Sequence, residues 1–164
     1  VPVQVGGGVR SLGAAESLLE AGAARVIVGT RAVEDPAWLA DVTQQLPGKV
    51  VVACDVKGIK VVSRGWTENT GLHALSFLAT LDALPLAGVL VTDVSREGRL
   101  AGIDGELFAR LATATPHPLL AAGGVTALAD LQTLDRAGAS GAVLGMSLYT
   151  GAIDVGAALQ LFRE

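Results

Sequence analysis

The sequence has 164 residues, of which 51% are hydrophobic but only 4% aromatic, and 21 are glycine. This length favours a single domain, residues 1–164, and an interior built from Val, Leu, Ala and Ile is typical of parallel strands buried under helices. The formal net charge is −4, and the 12 lysines and arginines are scattered along the chain, which argues against a nucleic-acid partner. The single cysteine, Cys54, excludes an internal disulfide and fits a reducing cytoplasm.

The sequence was searched for membrane-spanning and leader segments. No apolar run is long enough to cross a membrane, and no charged-then-apolar leader opens the sequence, so we expect a cytoplasmic protein without membrane contact. Val1 leads directly into a strand-like run without an initiator Met. From this start we expect a fragment, a processed chain or a trimmed one.

Short apolar runs alternate with helical stretches along the whole chain. Six runs of about five residues, each bounded by Gly, Pro or a charge, predict buried parallel strands at Val1–Val5, Arg25–Gly29, Lys49–Asp55, Gly88–Asp93, Pro118–Ala122 and Gly141–Gly145. Apolar residues at three- and four-residue spacing predict helices at Leu12–Ala21, Ala37–Leu46, Leu72–Leu84, Gly105–Ala114, Leu128–Ala137 and Val155–Phe162. A short extra strand is expected at Lys57–Val62. Six βα units in series predict an α/β fold with a parallel sheet or barrel.

An internal repeat relates two parts of the chain. Gly7–Val28 aligns with Gly123–Leu144 without a gap, so that Gly-Gly-Val coincides with Gly-Gly-Val. Both following helices end in Ala-Gly-Ala, where Gly22 and Gly138 suit the left-handed helix cap. Any two βα units share some features, but unbroken register across strand, loop, helix and next strand favours duplication.

Each copy of the repeat places a glycine-rich loop after a strand. Such a loop lets a phosphate approach backbone N–H groups, although a tight βα turn also uses glycine for its geometry. The next strand in each copy ends in a second glycine followed by a hydroxyl-bearing residue. The pair of loops predicts a ligand with two phosphates, bound by Gly7, Gly8, Gly29 and Thr30 at one site and by Gly123, Gly124, Gly145 and Ser147 at the other.

Polar residues at strand ends are candidates for catalysis. Asp55 follows a buried run and therefore lies at the C-terminal end of a strand, where barrel enzymes have their active sites. A carboxyl group there acts as a general acid or base, or it caps a loop. Thr92 and Asp93 end the next strand in the same way, and they would either orient a substrate or close the turn. Cys54 is expected to face the barrel interior.

The long loop after Asp55 contains Arg64-Gly65-Trp66, which combines a cation with a flat apolar face. This segment is a candidate lid over a substrate, and ordinary surface packing is the alternative. His73 and His117 have no partner at ligand or triad spacing, so we interpret both as structural. The sequence has no P-loop, metal-ligand cluster or nucleophile elbow.

These motifs together resemble the phosphoribosylformimino-aminoimidazole carboxamide ribotide isomerases of histidine biosynthesis, which are (βα)8 barrels. The resemblance extends over essentially the whole sequence and rests on Val5–Arg10, Asp55, Arg64–Trp66, Thr92–Gly98 and Ala122–Val125. It implies an Amadori rearrangement of a bis-phosphorylated ribosyl substrate, from aminoaldose to aminoketose, without a metal or organic cofactor. The related family that makes imidazole glycerol phosphate shares the fold but lacks the Arg-Gly-Trp loop.

The resemblance also implies roles for individual residues. Asp55 matches the family's general acid, and Thr92 matches a threonine that positions the reacting ribose. Glu97 stands where the family usually has Asp, and Met146 where it usually has Arg. The implied substrate and phosphate contacts are Gly7, Gly8, Arg10, Gly29, Thr30, Arg64, Trp66, Asp93, Gly123, Gly124, Gly145 and Ser147.

By the same resemblance, the sequence covers about two-thirds of a family barrel. Family members begin with a strand that carries an aspartate, the general base, and nothing of that kind precedes Val1. We therefore expect a partial or rearranged barrel of six βα units whose turnover is at or below detection, because loss of a general base typically costs about 10²–10⁴-fold. A non-catalytic phosphate-binding scaffold and an enzyme of altered mechanism are the alternatives. Open edges expose apolar surface, so we expect a homodimer or higher homo-oligomer.

Overall fold

The computed structural model describes residues 1–63, 65–66, 68–99 and 101–162, and of Asn69 only the backbone. Strands and helices alternate through most of this part of the chain. In order, they are β1 (Gln4–Gly6), α1 (Leu12–Glu20), β2 (Arg25–Val28), α2 (Thr30–Glu34), α3 (Pro36–Gln45), β3 (Val50–Lys57), β4 (Lys60–Ser63), β5 (Glu68–His73), α4 (Ala74–Ala79), β6 (Gly88–Asp93), α5 (Gly105–Ala112), β7 (Leu119–Ala122), α6 (Leu128–Arg136), β8 (Gly141–Ala142), α7 (Met146–Tyr149) and α8 (Val155–Leu161).

Six parallel strands form one curled sheet in the order β1-β2-β3-β6-β7-β8. Every neighbouring pair on this path is parallel, so all six C-terminal ends lie at the same edge of the sheet. Within the described residues, β1 and β8 each pair with a single strand, and the sheet is therefore open between them. The predicted α/β architecture, a partial barrel of six βα units, is confirmed.

The loop after β3 contains more strand than the sequence predicted. Val56 and Lys57 at the end of β3 pair antiparallel with β4, and β4 pairs antiparallel with β5. The extra strand expected at Lys57–Val62 is present as β4, but it covers Lys60–Ser63, and the second strand of this extension, β5, was not predicted. The helix expected at Leu72–Leu84 is wrong, because Leu72 and His73 end β5 and the helix covers only Ala74–Ala79. Its leucine spacing reflects burial of Leu78 and Leu81 rather than a continuous helix.

Smaller differences concern the ends of elements. The last main strand, β8, has two residues instead of the five predicted, and the first begins at Gln4 rather than Val1. Two short helices, α2 and α7, follow β2 and β8 directly and were not predicted. Both begin at a glycine, Gly29 or Gly145, and each has fewer than two turns, which is too short to show an amphipathic period.

The core lies between the sheet and its helices. Alternate residues of β3, namely Val50, Val52, Cys54 and Val56, are fully buried in this layer, while Ala53 and Asp55 point to the inner face. The expectation that Cys54 faces the barrel interior is therefore wrong, since it has the opposite parity to Asp55. Burial, together with the nearby Asp55 charge, raises the pKa of the Cys54 thiol to about 12.

The two copies of the repeat share their helix ends but not their helix starts. Gly22 and Gly138 both have positive φ, 104° and 86°, after α1 and α6. At the start of α1, the Ser11 side chain accepts from the N–H of Ala14 at 3.1 Å. The residue equivalent to Ser11 in α6 is Ala127, which has no acceptor, and Asp130 reaches back to the Ala127 N–H instead, at 3.0 Å. The two helices thus satisfy their first N–H groups with side chains from different positions.

The described part of the chain contains no helix with the length and apolar character that crossing a membrane would require.

Candidate functional site

Two cavities of about 250 Å³ each open at the C-terminal edge of the parallel strands. The first cavity lies over the ends of β1, β2 and β3, and it is lined by Gly7, Gly8, Val9, Arg10, Ile27, Gly29, Thr30, Arg31, Ala53 and Asp55. The second lies over β6, β7 and β8, and its lining is Trp66, Leu90, Thr92, Glu97, Gly98, Ala122, Gly123, Gly124, Val125, Val143, Gly145 and Met146. The two glycine loops predicted from the sequence therefore lie in separate cavities.

The two cavities adjoin at Asp55 and Thr92. They are register partners on the neighbouring strands β3 and β6, and both side chains are on the inner face of the sheet. Asp55 lines the first cavity and Thr92 lines the second. A ligand that fills both cavities would therefore pass directly over these two residues.

Trp66 also links the cavities. It lies between β4 and β5, and its indole Nε1–H donates to Oδ2 of Asp55 at 2.9 Å while its ring lines the second cavity. The ring is 49% exposed, and Trp66 has a φ of 71°, the one positive value at a non-glycine residue in the described part of the chain. Arg64, which was expected to act with it, lies outside the described residues.

The second glycine loop is closely packed against its neighbours. A Cβ on Gly123 would lie 2.4 Å from the carbonyl oxygen of Asp93, and one on Gly124 would lie 2.3 Å from that of Gly102. Both glycines also have positive φ, 90° and 85°. Glycine is therefore required here for conformation and for contact with the loop that follows β6.

The first glycine loop has a similar conformation in an open setting. Gly7 and Gly8 have φ of 109° and 70°, but a Cβ on either would meet no atom within 4 Å. Arg10 and Arg31 lie beside this loop, whereas the described residues that line the second cavity include no lysine or arginine. The two loops thus share a backbone shape and differ in charge and packing.

Asp93 and Ser147 are placed differently from the other candidates. The carboxylate of Asp93 is buried on the helix side of β6, where it accepts from the N–H and hydroxyl of Ser95 and lies 3.4 Å from Nε of Arg96. These contacts favour the turn-closing alternative. Ser147 is fully buried in α7, and its Oγ has no hydrogen-bond partner among the described residues. Neither residue lines a cavity.

Two charged residues of the cavities, Arg31 and Glu97, were not predicted as site residues. Glu97 had been noted only as a departure from the family pattern, yet it lines the second cavity beside Thr92 and Trp66. No feature of the sequence marked Arg31 as a site residue, because it follows Gly29-Thr30 inside a helix that was not predicted. For Glu97 the signal was present in Thr92–Gly98, since a loop that follows a catalytic strand end can return a side chain to the same edge.

The lining residues can bind anions and move protons. Backbone N–H groups of the glycine loops suit phosphate oxygens, and the carboxylates of Asp55 and Glu97 can donate or accept a proton. Across the described residues there is no cluster of three His, Cys, Asp or Glu side chains that could hold a metal ion.

Comparison with known proteins places this arrangement in a family. The sequence pattern of the family described as histidine biosynthesis protein matches residues 1–154. The chain belongs to that family. The resemblance stated from the motifs alone is thereby confirmed.

Similar proteins are named as isomerases. The chain is 51% identical over 158 residues to a 1-(5-phosphoribosyl)-5-((5-phosphoribosylamino)methylideneamino)imidazole-4-carboxamide isomerase of Myxococcus xanthus. It is 50% identical over 154 residues to the protein of the same name from Gemmatimonas aurantiaca. These matches cover 96% and 94% of this chain but 66% and 65% of the relatives, so the chain spans just under two thirds of their length.

Proposed function

We propose that this histidine biosynthesis family chain carries the acid–base site of a phosphoribosyl isomerase, which converts a bis-phosphorylated aminoaldose to an aminoketose. The observation that supports this most directly is the pair of glycine-loop cavities that meet over Asp55 and Thr92. The names of the relatives, isomerases of a compound with two phosphoribosyl groups, agree with two anion sites of this kind.

The proposed reaction needs one proton donor and one proton acceptor. Protonation of the ribose ring oxygen lets the bond between that oxygen and C1 break, and the nitrogen lone pair forms a C1–N double bond. Removal of the C2 proton then gives an enolamine that carries the hydroxyl at C2. C1 takes a proton while this hydroxyl loses its own, which leaves a carbonyl at C2. No net oxidant or reductant is required, because C1 is reduced as C2 is oxidised.

In this proposal Asp55 is the acid that protonates the ring oxygen. Its strand end lies at the junction of the cavities, where a ribose between two bound phosphates would lie, and Thr92 would hold the ribose hydroxyls. Glu97 is a second carboxylate at the same junction and is available for the later proton transfers. Trp66 would leave Asp55 and cover the substrate.

The phosphates of the substrate would occupy the two glycine loops. Gly7, Gly8, Gly29 and Thr30 would bind one with Arg10 nearby, and Gly123, Gly124 and Gly145 would bind the other. Asp93 and Ser147 line neither cavity, so we propose for them only the support of neighbouring backbone.

Replacement of Asp55 tests the proposal. In the 164-residue chain, Asp55→Asn should remove whatever turnover of the substrate named in the relatives is detectable, while calorimetric affinity for that substrate changes less than about threefold, because the amide keeps the shape but not the proton. Asp82→Asn, at an exposed position distant from the cavities, is the matched control. Turnover that survives in Asp55→Asn would refute the role of Asp55, and a chain that binds no substrate would refute the proposal.

The rate of the unmodified chain decides between catalysis and binding alone. We expect turnover at or below detection, since the resemblance assigns the general base to a strand outside this sequence. Substrate binding with no turnover at all would favour the alternative of a phosphate-binding scaffold. Turnover that is lost in Asp55→Asn would show that another group, Glu97 being the nearest carboxylate in the second cavity, replaces the base.

Two further properties belong to this proposal. We place the chain in the cytoplasm because its single cysteine is free and buried, as is common where thiols stay reduced.

We also propose that the chain self-associates through the two edges of the curled sheet, since β1 and β8 each leave one side unpaired in the described residues.

A further inference from the structure

Arg31, the second residue of α2, joins three parts of the chain beside the first cavity. Its Nη1 donates to the carbonyl oxygen of Arg10, which belongs to the glycine loop. Its Nη2 lies 3.2 Å from Oδ2 of Asp35, and its guanidinium carbon lies 4.6 Å from the centre of the Trp38 ring. Asp35 and Trp38 form the start of α3, so Arg31 connects the glycine loop to a helix of the core.

The two glycines of the first loop have open surroundings. No atom lies within 4 Å of the place where a Cβ would stand on Gly7 or Gly8, whereas the second loop is packed against the carbonyl oxygens of Asp93 and Gly102. In the repeat, the residue equivalent to Arg31 is Ser147, whose Oγ makes no hydrogen bond among the described residues. Each loop also buries a valine, Val9 in the first and Val125 in the second. The two loops therefore differ in their remaining support, which is backbone packing at the second and the Arg31 side chain at the first.

We infer that Arg31 is a positioning residue, which fixes the Gly7–Arg10 loop in the conformation that binds phosphate at the first cavity. This inference rests on the proposed function, because it assumes that the loop binds an anion. A loop that is already ordered loses less conformational entropy when the anion binds, so its affinity is higher than that of a free loop.

Arg31 acts by holding the glycine loop in place more than by attracting the anion with its charge. The carboxylate of Asp35 compensates much of its charge, while the planar guanidinium makes three contacts at once, to an oxygen, a carboxylate and a ring face. Lysine keeps the charge but has a single ammonium group that cannot reproduce this geometry. The ion pair itself is 38% and 42% exposed at its two side chains, so its loss costs little stability.

Arg31→Lys separates the two roles. Titration of the chain with inorganic phosphate, followed through the amide resonances of Gly8 and Gly124, reports each loop on its own. We expect Arg31→Lys to raise the phosphate Kd at Gly8 by about five- to tenfold, the net value of one ordinary hydrogen bond, and to leave the Kd at Gly124 unchanged. In the phosphate-free chain, the Gly7 and Gly8 amides should exchange hydrogen faster in the variant.

Two further variants complete the test. Arg136→Lys, at an exposed arginine on α6 that donates to Thr133 of the same helix, is the matched control and should change neither loop. Trp38→Leu removes the ring beneath the guanidinium and should weaken the Gly8 site by about two- to threefold. Equal weakening at both loops, or an unchanged Kd and unchanged exchange at Gly8 in Arg31→Lys, would overturn the inference. If phosphate shifts neither loop in the unmodified chain, the proposed function fails, and the exchange rates alone then test whether Arg31 holds the loop.

Discussion

At the scale of single residues, strand parity decides which side chains are available for chemistry. Asp55 and Thr92 project to the inner face, while their direct neighbours Cys54 and Asp93 are buried on the helix side. A shift of one residue along either strand would exchange these roles. The sequence could identify the polar residues at the strand ends, but their orientation depends on which face the helices cover.

The buried neighbour of Asp55 provides a test of this parity. Cys54 is fully buried and its thiol has a pKa of about 12, so at neutral pH the thiolate that reacts with disulfide reagents is scarce and inaccessible. We expect no reaction of the folded chain with an aromatic disulfide such as DTNB, and one equivalent of reaction after unfolding in urea. Rapid reaction of the folded chain would place Cys54 on the open inner face and would contradict the assignment of Asp55.

At the scale of elements, Asp130 connects α6 to two loops. Its Oδ2 accepts from the N–H of Thr126 at 2.8 Å, from the Thr126 hydroxyl at 2.7 Å and from the N–H of Ala127 at 3.0 Å, and the N–H of Ile103 also donates to it. Burial by itself would raise the pKa of Asp130, but these hydrogen bonds lower it below its ordinary value. The carboxylate thus fixes the second glycine loop to the loop that follows β6.

This lowered pKa predicts a pH dependence of stability. Because the folded pKa of Asp130 is below the unfolded one, near about 3.9, its stabilisation is present above that pH and is lost as the pH falls through the folded pKa. Asp130→Asn should lower the free energy of unfolding at neutral pH, and the gap to the unmodified chain should narrow as the pH falls from about 5 to 3. Urea unfolding at several pH values measures this gap.

Asp82→Asn, which is exposed, serves as the control and should leave the pH profile of the unmodified chain nearly unchanged. The difference in free energy of unfolding between Asp130→Asn and the unmodified chain could also stay constant with pH. That result would show that Asp130 contributes no proton-linked stabilisation.

At the scale of the whole molecule, the open sheet exposes apolar side chains at both ends. Val1 and Val3 are exposed beside β1, and Val143, Leu148 and Tyr149 are exposed around β8 and α7. Exposed apolar side chains in α8 are Val155, Leu159 and Leu161, and Phe162 follows them at the end of the helix. Unpaired strand edges with apolar neighbours favour association with another chain.

We therefore expect the chain to be oligomeric in solution. Light scattering should give a mass that is a multiple of 16.6 kDa, most simply twice that value, and Val3→Lys should shift the population toward the monomer because it places a charge beside the β1 edge. Leu72→Lys, an exposed leucine in β5 away from both edges, should leave the mass unchanged. A stable monomer at every concentration tested would refute association through the edges.

The sequence determined the order of the main elements and the approximate position of the catalytic edge. Each buried strand needs a continuous apolar run and each glycine loop needs glycine, so these features are local and can be recognised in the chain itself. The family also followed from local motifs, because Val5–Arg10, Thr92–Gly98 and Ala122–Val125 are each a distinctive short run of residues that can be recognised in the sequence.

Only the tertiary structure decided how these parts meet. The β4–β5 extension depends on pairing with the end of β3, and the short helix α4 depends on where that extension ends. The junction of Asp55, Thr92, Trp66 and Glu97 depends on strand register, and the anchoring of the first loop depends on a contact between Arg31 and the distant Arg10. Contacts between segments far apart in the chain leave no periodic trace in it, because neither segment needs a distinctive composition to make them.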